Sequence, residues 1–320
     1  MKPLLEIKDL QVSFLMKDKL INAVDGVSFD IPRKKIVALV GESGSGKSVT
    51  ALSVMGLIGY ESGRVMNGEI IFDGQDILNM KEKKLSKIRG KDISMIYQDP
   101  MSTLNPAISV GEQIRESLLI HKMASRKDSK EISIKLMEEV GIPDSPQRYR
   151  DLPGSFSGGM RQRIMIAMAL SCKPKLLIAD EPTTALDVSI QAEIMNTLQD
   201  MKNRIGMSVL LITHDLGLVA QYAERAIVMY CGKVMEESSV QSLFEEPLHP
   251  YTIGLMNCIP RIDISRDELS SIPGYVPSIA NYPSGCRFHD RCSEAKPVCR
   301  DKMPDLIQIN EDRRVRCWLY

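Results

Sequence analysis

The run Gly41-Glu42-Ser43-Gly44-Ser45-Gly46-Lys47-Ser48 follows the pattern G-x-x-x-x-G-K-[ST] in full. Those residue types at that spacing suit a nucleoside triphosphate, whose crowded negative charges must be met without steric bulk. Gly41, Gly44 and Gly46 let backbone N–H groups converge on phosphate oxygens, with Ser43 among the donors. Lys47 supplies a cation for the β- and γ-phosphates, and the Ser48 hydroxyl can ligate Mg²⁺. A helix opening at Ser48 and Val49 adds its N-terminal partial positive charge. A second constellation lies far downstream, where the apolar run Leu176-Leu177-Ile178-Ala179 ends in Asp180 and Glu181. Neighbouring side chains on a strand point to opposite faces, so adjacent acids can take different tasks. Asp180 suits Mg²⁺, and Glu181 suits an attacking water that must be oriented or deprotonated.

A third group is made of thiols. Of seven cysteines, Cys286, Cys292, Cys299 and Cys317 crowd the last 35 residues. The chain has no long apolar N-terminal stretch of signal-peptide type, so a reducing cytoplasm is expected, where such a cluster means metal more often than disulfide. The spacing C-x5-C-x6-C-x17-C lacks the C-x2-C pairs of zinc ribbons and the spacing of ordinary ferredoxins, and by itself leaves zinc and iron–sulfur equally open. His289 is an alternative fourth ligand, and Phe288 and Trp318 flank the ligands as shields from solvent. Cys172, Cys231 and Cys258 read as packed small residues.

The elements that position these groups are legible from hydrophobic pattern. Residues 36–40, 175–180 and 209–213 are short continuous apolar runs, the mark of strands covered on both faces, and they alternate with amphipathic helical stretches such as 48–57 and 160–171. A mainly parallel sheet in an α/β layer fold follows. Residues 4–14, 22–30 and 68–72 read as antiparallel strands of a small β-subdomain. The polar stretch 125–131 is expected to be an exposed turn leading into a helix over 132–140 that Gly141 ends. Proline density divides the chain: nine of 17 prolines fall in residues 1–239 and eight in residues 240–304. A main domain at 1–236 and an appended small domain at 237–320 are therefore expected. Lys+Arg and Asp+Glu are 41 each, which speaks against a nucleic-acid binder. No apolar run approaches the roughly 18 residues of a membrane span, so any membrane role must come through a partner.

The run Phe156-Ser157-Gly158-Gly159-Met160-Arg161-Gln162-Arg163 resembles the signature of ATP-binding-cassette (ABC) ATPases, usually LSGGQ, with Phe for Leu and Met for Gln. Other family motifs stand in family order. Phe14 matches the aromatic that stacks on adenine, Gln98 the Q-loop, Ala185-Leu186-Asp187 the D-loop and His214 the switch histidine. The resemblance implies a P-loop cassette: a RecA-like parallel core, an antiparallel β-subdomain, a helical subdomain near 99–170 and a small Cys-rich C-terminal domain. It implies ATP and Mg²⁺ as ligands, the metal held by Ser48, Gln98 and Asp180. Lys47, Gln98, Glu181 and His214 then serve catalysis. Ser157, Gly158, Gly159 and Met160 act on ATP held by a second subunit, in a head-to-tail dimer whose D-loop Asp187 faces its mate.

Within the family, Met101-Ser102-Thr103-Leu104-Asn105-Pro106, His249-Pro250-Tyr251-Thr252 and Pro283-Ser284-Gly285-Cys286-Arg287-Phe288-His289 closely resemble the dipeptide/oligopeptide (and nickel) importer branch. That branch implies two integral-membrane permeases, an extracytoplasmic substrate-binding protein and a second ABC ATPase, as a heterodimer rather than a homodimer. It implies a [4Fe–4S] cluster on Cys286, Cys292, Cys299 and Cys317, with zinc as the alternative occupant. The place of work is then peripheral, on the cytoplasmic face of the cell membrane. No nucleic-acid partner is expected.

Overall fold

The computed structural model describes residues 2–16, 19–184, 186–258 and 271–320; Ala185 of the expected D-loop lies outside them. Its strands, in chain order, are β1 (Leu5–Met16), β2 (Lys19–Ile31), β3 (Ile36–Val40), β4 (Gly63–Phe72), β5 (Gln75–Asp76), β6 (Ile93–Ile96), β7 (Leu176–Asp180), β8 (Ser208–Thr213), β9 (Arg225–Tyr230), β10 (Lys233–Ser239), β11 (Ile307–Asn310) and β12 (Arg313–Val315). The chain forms two compact units. One holds residues 1–31, 36–78 and 212–320, the other 32–35 and 79–211.

In the first unit, β2, β1, β4 and β5 form an antiparallel sheet in that order. Leu5 lies opposite both Ile31 and Phe72, and Leu5, Ile7, Leu10 and Val12 are buried. The expected β-subdomain is therefore present, with β1 and β2 longer than their apolar cores suggested. The second sheet of this unit runs β11-β12-β10-β9-β3. β3 pairs in parallel with β9, Val40 opposite Val228, and all five residues of β3 are buried. β10 crosses the compositional boundary at residues 236/237 and is paired antiparallel by β12, Glu236 opposite Val315. The tail's core is continuous with that of the sheet: Val40, Val228, Tyr230 and Tyr251 share one buried cluster with Cys286, Phe288 and Cys299. Tyr230, Tyr251 and Phe288 pack ring to ring, with centroids 4.7 to 5.3 Å apart.

In the second unit the strand order is β8-β7-β6, with β6 and β7 parallel and Ile93 opposite Leu176. Four longer helices, Val110–Ile120, Arg126–Glu139, Gly158–Leu170 and Val188–Ile205, complete it. The stretch 125–131 is not a turn: helix Arg126–Glu139 already includes it. Ser125 caps that helix, its Oγ accepting from Asp128 N–H at 3.2 Å. Arg115 pins the first turn through the Arg126 carbonyl (2.7 Å) and the Ser129 hydroxyl (2.9 Å). Apart from buried Ser129, the polar residues that suggested a loop are exposed on the cap and first turns of this helix. Among the described residues, no helix is long and apolar enough to cross a membrane.

Candidate nucleotide site and cysteine cavity

The loop 41–48 leaves β3 and enters helix Lys47–Val54, whose N-cap Gly46 sits at φ 100°. The helix starts at Lys47, one residue before the expected Ser48, and its first turn carries no acidic residue, which suits an anion at its N-terminus. Lys47 Nζ donates to the Gly41 carbonyl (2.6 Å), the Glu42 carbonyl (3.0 Å) and Ser45 Oγ (3.4 Å), so the ammonium is folded onto the loop with the residue 6% exposed. Gly41 has φ 151°, and a Cβ there would stand 2.1 Å from the Met229 carbonyl oxygen, so only glycine fits. Ser43, Gly44, Ser48 and Val49 lie along the same loop and helix start. Phe14, half-buried on β1, has its ring against Gly63, where a Cβ would be 2.9 Å from it. His214 follows β8 and is exposed; the next residue, Asp215, caps helix Leu216–Tyr222 by accepting from Gly217 N–H at 2.7 Å.

Two residues of the tail hold the loop: Tyr251, from the motif His249-Pro250-Tyr251-Thr252, and Arg291, which lies in no motif named above. Tyr251 Oη accepts from the Glu42 N–H at 2.9 Å. Arg291 donates to both carboxylate oxygens of Glu42, at 2.8 and 3.2 Å. Burial works against the Arg291 charge, but Glu42 and Tyr230 outweigh it and push the guanidinium pKa upward. Burial likewise raises the Tyr251 phenol, so it stays neutral. Tyr251 is set by helix Pro250–Asn257, capped by His249, whose Nδ1 accepts from Tyr251 N–H at 3.0 Å. Burial drives the His249 pKa down to about 3, which keeps that acceptor unprotonated at neutral pH. The capping role of His249 explains part of the His-Pro-Tyr-Thr motif.

In the second unit, Gln98 and Glu181 come together: Gln98 Nε2 donates to Glu181 Oε2 at 2.8 Å, and Thr184 Oγ1 donates to the same oxygen at 2.9 Å. Asp180 closes β7 and is 6% exposed, while Glu181 turns out of the strand at φ 47°, a left-handed conformation that a non-glycine residue adopts at some cost. Ser157 is the N-cap of helix Gly158–Leu170, its Oγ accepting from Met160 N–H at 3.4 Å. Gly158 and Gly159 thus form the first helical residues, exposed or half-exposed. Met160 lies with its sulfur 3.7 Å from an Arg148 nitrogen. Asp187 is the N-cap residue of helix Val188–Ile205, but its side chain makes no capping bond.

Cys286, Cys292, Cys299 and Cys317 all line one cavity of the first unit, together with His249, Phe288, His289 and Trp318. Burial pushes the Cys286 thiol up to about 11 and also raises Cys292 and Cys317, with the neighbouring sulfurs adding to the effect. The Lys296 N–H points at Cys299 Sγ (3.4 Å), and the Cys286 N–H bonds to the Cys299 carbonyl (2.8 Å). His289 is not placed as a ligand: Nδ1 lies 2.8 Å from the Cys286 carbonyl and Nε2 2.9 Å from Asp290, so both ring nitrogens are engaged. Among the described residues, no group of three or more His, Cys, Asp or Glu is arranged to hold a metal ion. Cys172 and Cys231 are buried as expected, whereas Cys258 is only half-buried.

A phosphate loop on a buried strand, a strand-end acid pair with its glutamine and a serine-capped diglycine helix together define an ABC-type ATPase. The family model for the ABC transporter matches residues 24–184, and that for the oligopeptide/dipeptide transporter C-terminal region matches residues 235–299. The chain is 50% identical to the oligopeptide transport ATP-binding protein AppD of Bacillus subtilis, over 100% of the chain and 98% of that relative. It is 46% identical to the dipeptide transport ATP-binding protein DppD of the same organism, over 100% of the chain and 95% of that relative. Among solved structures, the dimeric ATP-binding cassette MJ0796 bound to ADP and Pi is similar with a TM-score of 0.65 at 26% identity, covering 74% of this chain and 98% of that one. The chain belongs to the ABC transporter family, and within it is the ATP-binding subunit of a peptide importer.

Proposed function

We propose that this chain couples ATP binding and hydrolysis to the uptake of di- or oligopeptides through two membrane permease subunits, at the cytoplasmic face of the membrane. The substrate is delivered by an extracytoplasmic binding protein, and a second ABC ATPase completes the pair as a heterodimer. Residues 1–236 carry the nucleotide chemistry, with a helical subdomain near 99–170, and residues 237–320 are the appended domain. The observation that carries the chemistry is the Gln98–Glu181 hydrogen bond of 2.8 Å. It supports reading Gln98 as a ligand of the nucleotide's metal and Glu181, beside it, as the residue that activates water. Phe14 stacks on adenine, and residues Gly41 to Val49, with Ser43 among them, wrap the phosphates around Lys47. Ser48, Gln98 and Asp180 hold Mg²⁺, which when bound offsets charge on the β- and γ-phosphates. Ser157, Gly158, Gly159 and Met160 of one subunit close onto the γ-phosphate held by the other. Asp187 faces that mate, Glu181 orients water, and His214 stabilises charge developing on the γ-phosphate.

We infer from the resemblance to the peptide-importer branch, and not from the cavity's geometry, that the four cysteines take a [4Fe–4S] cluster rather than zinc. Four thiols from separate points of the chain meet at one cavity walled by Phe288 and Trp318, with an amide N–H directed at Cys299 Sγ. Such a group would serve as a cross-link for a proline-rich tail. Iron and acid-labile sulfide near four of each per chain are the expected result for anaerobically purified protein; stoichiometric zinc without iron overturns that assignment. For the whole reading, the test is co-expression with permease subunits and reconstitution into vesicles. ATP-dependent peptide uptake, lost in Glu181→Gln, is expected. Hydrolysis that responds to DNA or RNA and not to permeases would overturn it.

A further inference from the structure

Glu42 is an odd residue to find in a loop built for polyphosphate, because its carboxylate repels the ligand. Its charge is met by a residue 249 positions away: Arg291 grips both carboxylate oxygens, fork to fork, at 2.8 and 3.2 Å. The Arg291 side chain is only 5% exposed and its guanidinium has little freedom. Nε donates to the Pro273 carbonyl (2.9 Å), and the terminal nitrogens also reach Tyr230 Oη (3.3 Å) and the Ile272 carbonyl (3.4 Å). The main chain of Glu42 is fixed independently, by Tyr251 Oη. The loop's second residue is thus held at backbone and side chain by two segments of the tail.

Arg291 directly precedes Cys292, which lines the cysteine cavity, and its own N–H bonds to the Phe288 carbonyl at 3.0 Å. A parallel tie starts at Cys286. The next residue, Arg287, donates to the Cys231 carbonyl and pairs with Asp25, while the adjacent Gly232 N–H bonds to Ser45 of the phosphate loop at 2.9 Å. Arginines that follow one cavity cysteine and precede another therefore both lead to the loop, one directly and one through the β9–β10 turn.

We propose that Arg291 is a positioning residue for the phosphate loop, neutralising Glu42 and fixing the loop, and that the cysteine-bearing segment sets the loop's affinity for nucleotide through it. The proposal rests on the reading of residues 41–48 as the ATP loop. If the segment is held in place by its cysteines, Arg291 is presented rigidly to Glu42. If it loosens, an uncompensated carboxylate and a less ordered loop meet the phosphates.

The test is a titration of the full-length chain with a fluorescent N-methylanthraniloyl ATP analogue, alongside thermal melting. Arg291→Met is expected to weaken binding about tenfold and to raise KM for ATP with kcat changed much less. Glu42→Gln removes the charge that Arg291 answers. It should relieve most of that loss, so that the double variant binds within about threefold of Glu42→Gln alone. Cys292→Ser should weaken binding in the same direction, without adding to Arg291→Met. Should Arg291→Met fail to fold, Arg291→Lys, which keeps charge but loses the fork, is titrated instead and should fall between. Wild-type affinity in a folded Arg291 variant overturns the proposal, and so does a loss that Glu42→Gln does not relieve. An unchanged affinity in Cys292→Ser overturns the role given to the cysteine-bearing segment. A wild-type chain that does not bind the analogue overturns the phosphate-loop reading itself.

Discussion

Glu181→Gln separates the geometry of the residue proposed to activate water from its proton chemistry. Two donors to Glu181, Gln98 Nε2 at 2.8 Å and Thr184 Oγ1 at 2.9 Å, converge on one oxygen. The amide carbonyl of a glutamine can stand in that position and accept both bonds, while its nitrogen occupies the place of the other carboxylate oxygen and cannot take a proton. The strained turn at φ 47° is backbone geometry and is common to both residues. The fold should therefore lose less than about 1 kcal/mol. Removal of a general base costs about 10²–10⁴ in rate, which at about 1.36 kcal/mol per decade is about 2.7 to 5.4 kcal/mol of barrier. The measurements are phosphate release at saturating ATP, titration with a fluorescent nucleotide and a denaturation curve. Slow turnover with wild-type affinity and stability is expected. Turnover within about fivefold of wild type would be too small a loss for a base and would remove Glu181 from that role. A loss explained by weakened nucleotide binding would do the same.

Gly41→Ala drives a Cβ to 2.1 Å from the Met229 carbonyl, so the loop must move and nucleotide binding should fall below detection in the same titration; retained affinity would show that the loop is not held by that contact. Ser157→Ala removes the cap on Met160 N–H, a loss of about 1 kcal/mol in helix stability, and should spare nucleotide binding by the single chain while lowering turnover of the assembled pair. Gly285→Ala places a Cβ 2.3 Å from the Cys299 carbonyl at a φ of 65° and should cost about 1–3 kcal/mol, and under the proposed cluster the iron per chain should fall in parallel; an unshifted melting curve would contradict the packing described.

The phosphate loop, the acid pair and the signature could be read because each depends on a local pattern: a glycine spacing, or a buried strand that ends in polar residues. The runs 36–40, 175–180 and 209–213 correspond to β3, β7 and β8 within a residue at their ends, since continuous apolar sequence has few ways to be buried other than as a covered strand. The stretch 125–131 departs from the expected turn because polarity alone does not distinguish a loop from the start of a helix, and the Ser-x-x-Asp cap decides for the helix. The tail's hold on Glu42 was out of reach for a different reason. Glu42, Tyr251 and Arg291 are over 200 positions apart at the extremes, and no periodicity links residues brought together only by tertiary packing. His289, an alternative ligand by its nearness to the cysteines, has its ring nitrogens against the Cys286 carbonyl and Asp290, contacts that spacing does not reveal.

The pairing of β12 with β10 has a consequence for truncation. Without it, the seven residues of β10 would offer an unsatisfied ladder of N–H and C=O groups to any passing chain. The hairpin instead transfers the sheet's margin to β11, four solvent-facing residues that include Gln308 and Asn310. Four residues make too short a rim to be a good template for stacking, even with Ile307 and Ile309 exposed on it. A chain shortened to its nucleotide-binding part would lose this guard and should precipitate through its sheets, whatever becomes of its catalysis.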